Sequence, residues 1–454
     1  MHPVFTDRSR ILSYQECPRR RFLNYEFLGK GVAPKRCSIP LTTGIHTHVG
    51  LGSMLEDIVA GREPDVDKAV TLALKGYDAD VAERGIQVEF LTEDAEFVRT
   101  EQRFLIEAML RAYHKFVLPR LLEEYDVLEV EQEEQFVLVP GDKDEVDYFA
   151  SPDVIFQARL DALLLEKASG DLFVMSFKTA NGWDRRKENA ARHDMQGLSE
   201  AAAVEKRLEK VWHSVHDEFG SLVCDPLTRY LADQPAPPKI AGIKMEHLLK
   251  GKRFENPRGS GRYVTYSPLI RAWRFRGITP SDDRYSWQYQ RAKGWQEFFV
   301  WEAPEIGGVK GWIDMLERGD VEPFDENPLE AQFVLPMPYM RHTGDMERWE
   351  RQTAAQEEEI PRHSSYVNDL IRQHGERSAE VANAMDVVFP IYSNSCDYPG
   401  ACDYQDCLHC WGSATVQELI QDEKYMWRRP HHEPEVKAWG QEQGPEQGQE
   451  PKAA

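Results

Sequence analysis

Four of the seven cysteines fall within fifteen residues, as Cys396, Cys402, Cys407 and Cys410 in NSCDYPGACDYQDCLHCWG, and a fifth, Cys17, stands in YQECPRRRF. A disulfide scaffold does not suit a chain of 454 residues with no secretory layout, whereas thiolates gathered on a metal do. If the four clustered thiolates act together they close a tetrahedral zinc site, although only one tight C-x2-C hook is present. If three of them borrow Cys17, the set holds an iron–sulfur cluster, and the two ends of the chain must meet in the fold. Spacing alone leaves both open.

The middle of the chain changes hydrophobic period. YDVLEVEQEEQFVLVP, SPDVIFQARLDALLLE and GDLFVMSFKTA read as three strands, and a helix follows from about 190 to 215. This β-β-β-α order predicts an α/β (α+β) mixed sheet with a helix packed on it. PKIAGIKMEHLLKGKRF and GRYVTYSPLI read as a further strand pair around a turn at 256–261. Before the sheet, helices are expected at 11–28, after the turn residues of LTTGIHTHVG, and over 92–124, where Pro119 ends the pattern. A polar helix is expected over 346–375. Beyond about 430 the Pro, Gly, Gln and Glu content predicts disorder.

These segments divide the chain into an N-terminal cysteine and histidine segment over 1–50 and a helical insertion over 51–126. The sheet core with its basic strand pair takes 127–345, a helix and the cysteine cluster take 346–412, and a tail takes 430–454. No apolar run reaches 18 residues, and MHPVFTDRSRIL lacks the layout of a signal peptide, so a cytoplasmic protein with no membrane association is expected. A phosphate-loop motif of the G-x-x-x-x-G-K-[ST] type is absent.

The net charge of −22 argues against nucleic-acid binding by the whole surface. Its distribution is uneven. Residues 241–277 carry nine Lys and Arg against two Glu, with Phe254, Tyr263, Tyr266, Trp273 and Phe275 interleaved, and residues 1–36 are also basic. Such a stretch is either a solvated face or a track of phosphate contacts and stacking platforms, with Arg253, Arg262 and Arg274 as the phosphate contacts.

Two constellations can carry chemistry. Asp161 on one strand and Lys178 at the end of the next are joined by a turn at KASG, which suits either a buried ion pair or a site for phosphodiester hydrolysis. His48, at the mouth of a helix four residues after Gly44 and two after His46, can complete a metal shell or be a surface histidine.

Taken in order, Cys17-Pro18-Arg19, Gly44…His48, Arg159-Leu160-Asp161, Phe177-Lys178-Thr179, Gln196, and the triad Cys396, Cys402 and Cys407 resemble the RecB-like branch of the PD-(D/E)xK nucleases. Within that branch they are similar to the iron–sulfur exonucleases of phages, AddAB-type repair enzymes and CRISPR adaptation loci. The resemblance covers most of residues 10–412. It implies a restriction-endonuclease-like sheet flanked by helices, with an iron–sulfur cap joining the terminal segments. It also implies metal-dependent cleavage of DNA ends or single strands in a bacterial or phage-encoded setting, with a recombination or helicase partner. His48 and Asp161 would bind Mg²⁺ or Mn²⁺, Lys178 would orient the attacking water, and Gln196 would contact substrate. A structural 4Fe–4S cluster would use Cys17, Cys396, Cys402 and Cys407, leaving Cys410 spare.

Ser176 departs from that pattern, because the family places a metal-binding acid there. Glu200, one helical turn after Gln196, is the expected substitute, with Asp194 behind it. The competing expectation is a DNA-binding or recombination-accessory protein on the same fold, its catalysis weakened at Ser176. A zinc-bearing structural protein is the third.

Overall fold

The structure is a computed structural model that describes residues 3–87, 94–141, 152–192, 195–217, 225–255, 263–275, 295–302, 304–319, 329–396 and 402–429. The turn at 256–261, Arg262, Asp194, Cys224 and the tail from 430 lie outside the described residues. The chain forms two units: a terminal unit of Met1–Lys35, Glu133–Ala158 and Gly344–Ala454, and a central unit of Arg36–Gln132 and Arg159–Thr343.

The central unit is built on the strand Leu172–Ala180, whose first six residues are all buried. On one side it pairs antiparallel with Ala162–Glu166, which pairs antiparallel with Tyr125–Val130. On the other side it pairs parallel with Ile240–Leu249, through the crossover helices Arg185–Arg192, Met195–Asp217 and Pro226–Ala232. Two short strands, Phe333–Val334 and Tyr339–Met340, complete this six-stranded mixed sheet. Helices Ile39–Val59, Val66–Arg84 and Ala95–Phe116 bury Leu51, Met54, Ala73, Tyr77, Leu105 and Met109 in one core with Phe173, Met175 and Phe177. The Met195–Asp217 helix packs on the Leu172–Ala180 and Ile240–Leu249 strands. A Cβ on Gly197 would stand 2.3 Å from Ile243 Cδ1, so this close approach requires glycine. Architecture of mixed α+β type is therefore shown.

The strand expectations need one correction. The segments at 125–140 and 151–166 do not each form one strand. Each breaks in two, at Glu131 and at Leu160-Asp161. Tyr125–Val130 and Ala162–Glu166 join the central sheet, while Glu133–Val139 and Val154–Arg159 join Val4–Asp7 in a three-stranded sheet of the terminal unit. Glu131 adopts a left-handed φ of 53°, which no continuous strand accommodates.

The helix expected at 11–28 is also interrupted. Arg8–Glu16 stops at Cys17, whose φ of −164° and ψ of 114° are extended. Pro18 is the cause, since a following proline drives its neighbour out of the helical region. The arginines after it turn inward. Arg21, 0% exposed, pairs with Glu26 at 2.9 Å and Glu357 at 3.2 Å. Arg19 donates to Phe389 O at 2.7 Å and pairs with Asp386 at 2.8 Å. Arg19 and Arg21 of this basic segment thus supply internal contacts of the terminal unit, while Arg20 pairs with Glu16 nearer the surface. Among the described residues, no helix is long and apolar enough to cross a membrane.

One buried carboxyl gives the central unit a pH signature. Tyr113 Oη donates to Glu246 Oε2 at 2.8 Å, and burial, against the pull of Tyr113 and Lys244 and with Glu124 adding to it, raises Glu246 from 4.5 to about 7. The folded chain holds this proton more tightly than the unfolded chain. Stability should therefore fall as pH rises from about 4.5 through about 7, by about 3 kcal/mol from this group. Denaturant unfolding across that range should show the fall in the parent and a flatter profile in Glu246→Gln. Identical profiles would remove Glu246 as its source.

Candidate functional site

The Ala162–Glu166 and Leu172–Ala180 strands pair with Ala162 opposite Met175, which brings Asp161 beside Ser176 and Phe177. The Phe177 amide donates to Asp161 Oδ2 at 2.6 Å. Alternation puts Ser176 and Lys178 on one face, and Lys178 Nζ donates to Ser176 Oγ at 3.0 Å. His48 approaches from the Ile39–Val59 helix, its Nδ1 3.4 Å from Asp161 Oδ1 and its ring edge-on to Phe177. The position of that helix depends on Gly44, where a Cβ would lie 2.8 Å from Thr179 Oγ1. His48 follows one turn later on the same face. His46 has a different task, bonding Asp80 at 2.9 Å.

Burial works to raise the Asp161 carboxyl, but His48, Lys178 and the Phe177 amide together hold it below its ordinary value. The site therefore keeps an anion at the strand end. A second carboxylate, Glu131, lies beside it: the Glu131 amide donates to Asp161 O at 3.2 Å, and its side chain pairs with Arg159. Burial raises Glu131, Arg159 opposes the rise, Asp161 adds to it and His48 lowers it. Sequence reading passed over this residue. The one local signal is the charged run EQEEQ breaking a strand alternation.

Ser176 is fully buried and brings no charge. Glu200 is buried on the Met195–Asp217 helix, three residues from Gly197, which abuts Ile243, and seven from Arg207, which pairs with Glu129. Helical periodicity thus turns Glu200 toward the sheet. Gln196 lies on the same helix, but its side chain is outside the described residues.

Apart from the exposed Lys252, much of the basic stretch folds inward where it is described. Arg253 stands 3.7 Å from the buried Glu101. Arg271 stacks over Tyr266 and Phe299 at 4.7 and 4.6 Å, and Lys244 lies over the Tyr125 ring. Arg253 is therefore largely buried against Glu101. Arg274 is on the strand Arg271–Phe275, with its side chain outside the described residues.

In the terminal unit the cysteines gather around one core. Cys407 is buried with Phe22, Phe27, Phe389 and Tyr404, and Cys402 and Cys410 pack against that core. Burial, then the neighbouring Cys407, Cys402 and Cys17, push the Cys410 thiol up, with Arg19 opposing. Burial pushes Cys407 up to about 12. The Trp411 indole N–H donates to Cys396 Sγ at 3.3 Å. Cys410, left spare by the resemblance, therefore has Cys17, Cys402 and Cys407 as neighbours.

Among the described residues, no three His, Cys, Asp or Glu side chains converge as a ready-made metal group. The donor chemistry nevertheless suits both implied groups. Asp161 and Glu131 are two adjacent carboxylates whose mutual repulsion a hard divalent cation would relieve, with His48 at the edge. The thiols are soft donors, suited to iron–sulfur or zinc. No protein-family model matches the chain, and no curated protein matches it.

Mn²⁺ titrated into the full chain and followed by paramagnetic resonance should separate the carboxylates. Asp161→Asn and Glu131→Gln should each weaken binding about tenfold or more, and Glu200→Gln should change it little. Loss on Glu200→Gln alone would move the second carboxylate to the helix.

Proposed function

We propose that the chain is a divalent-metal-dependent deoxyribonuclease of the RecB-like PD-(D/E)xK type that processes DNA ends or single strands. The observation that carries this reading is Lys178 on the strand next to Asp161, hydrogen-bonded to Ser176 and close enough to lower the Asp161 carboxyl, with His48 at 3.4 Å from the same carboxylate. In this reading Asp161, Glu131 and His48 hold Mg²⁺ or Mn²⁺. The ion would polarise the scissile phosphate and the attacking water. Lys178 orients that water and neutralises charge building on the phosphate. Glu131 supplies the negative charge that Ser176 lacks, and Glu200 is the second candidate for that role. Gln196 contacts the substrate strand.

In the terminal unit, Cys17 with three of Cys396, Cys402, Cys407 and Cys410 would hold a structural 4Fe–4S cluster. Burial of neutral thiols disfavours the thiolate, so the cluster would supply the positive charge that stabilises it. The second reading is a DNA-binding or recombination-accessory protein with catalysis lost. It is favoured by the neutral, fully buried Ser176 in the place of an acid.

A nuclease assay with Mn²⁺ or Mg²⁺ on anaerobically purified protein decides between them. The parent should cleave DNA, and Lys178→Ala should lower the rate at least about a hundredfold. Ser176→Asp restoring cleavage to an inert parent would establish the binding-protein reading. Robust cleavage by Lys178→Ala would displace the active site altogether.

Iron analysis tests the cluster separately. The anaerobic protein should carry about four irons per chain, and Cys17→Ser should lose them. A colourless protein with one zinc, unaffected by Cys17→Ser, would replace iron with zinc. Comparing iron retained by Cys396→Ser and Cys410→Ser identifies the fourth ligand.

A further inference from the structure

Beyond the carboxyl ends of the parallel strands Leu172–Ala180 and Ile240–Leu249, the central unit holds a cavity of about 340 Å³. Lys250, Lys252 and Arg253 line it, together with Asn181 and an apolar wall of Ile39 and Leu105. The Lys250 amide donates to Ala180 O at 2.7 Å, which ties the cationic rim to the strand that carries Lys178. Asn181 follows Lys178 by three residues, about 10 Å along an extended chain.

Lys250 is 5% exposed. Its Nζ donates to Pro40 O at 2.9 Å, and among the described residues it has no carboxylate partner. A buried ammonium without a counter-ion is costly, so an anion bound in the cavity would stabilise it. Burial, with Lys187 nearby, lowers Lys250 to about 8, the direction expected where positive charge is unbalanced. Arg253 is held from behind. Glu101, its partner, accepts from Thr265 N at 2.6 Å and Thr265 Oγ1 at 2.8 Å. That carboxylate is engaged by Arg253 and Thr265, and among the described residues no carboxylate pairs with Lys250 or Lys252. Lys252 is exposed at the mouth, and Gly182 lies against its stem.

A lining of cations together with aliphatic side chains suits a phosphate carried on a nucleoside better than inorganic phosphate alone. We propose that this cavity binds the phosphomonoester of a nucleotide, carried by the end of a nucleic-acid strand or by a free mononucleotide. The strand-end form rests on the nuclease reading and makes the cavity the feature that sets the distance between a strand terminus and Lys178. The free-nucleotide form does not depend on that reading.

Binding is measured on the full chain in a chelator, so that cleavage is absent. The probes are short single-stranded DNAs that differ only in a 5′-phosphate, a 3′-phosphate or bare hydroxyl ends. One phosphorylated end should bind about tenfold tighter than hydroxyl ends, and Lys252→Glu should erase that difference. A deoxynucleoside monophosphate should raise the thermal midpoint of the parent but not of Lys250→Met. The midpoint of Lys250→Met without ligand verifies that this variant folds.

A preference for one phosphorylated end supports the strand-end source. Stabilisation by the mononucleotide without such a preference supports the free source. Failure of all probes to respond overturns the proposal even if the protein cleaves DNA. Equal weakening of every DNA by Lys252→Glu, with no mononucleotide effect, also overturns it, because the lysine then contacts backbone phosphates only. A mononucleotide effect in a chain that never cleaves DNA would remove the nuclease reading and leave the cavity assignment intact.

Discussion

Burial of the Leu172–Ala180 strand on both faces is the constraint from which the central unit follows. Strands to either side and the helices packed on it shut solvent out from Leu172 through Phe177, so a polar residue in that run must find a partner within the fold. Ser176 and Lys178 satisfy this requirement with each other, and the Phe177 amide finds the Asp161 carboxylate. The carboxylate thereby becomes part of the strand's own hydrogen bonding. His48 completes the group because Gly44 lets its helix approach Thr179 closely. The cavity beyond Asn181 lies at the end of the same strand.

Charge is handled differently in the two units. In the terminal unit Arg19 and Arg21 are spent on internal carbonyls and carboxylates. A guanidinium can satisfy several acceptors at once, so arginine suits such buried junctions. In the central unit Arg253 and Arg271 turn inward to Glu101 and to aromatic rings. Lys250 is the exception, buried beside a carbonyl and, among the described residues, no acid. Where it is described, the basic stretch is thus divided among core, cavity wall and cavity mouth.

Local pattern made much of this legible. The apolar run through Phe173 to Phe177 announces a buried strand, and Asp161 and Lys178 flank a short turn that nearby strands must bring together. The apolar spacing over 11–28 suggests one helix, and the proline at 18, which ends that helix at Cys17, outweighs the spacing. Other features carry no local mark. Glu131 reads as one acid in a charged run, and only its left-handed backbone places it against Asp161. Cys410, which the resemblance leaves spare, lies near Cys17, Cys402 and Cys407, and Cys396 also lies near Cys402.

The amino-acid sequence by itself determined the mixed α+β character, the strand bearing Lys178 and the carboxylate on the strand before it, because each arises from periodicity or turn chemistry within a few residues. Tertiary structure alone decided which sheet each half of a broken strand joins, which arginines face inward, and that Glu131 stands beside Asp161. Those outcomes depend on pairings between residues far apart in the chain, where burial and charge compensation select a partner that local sequence does not specify.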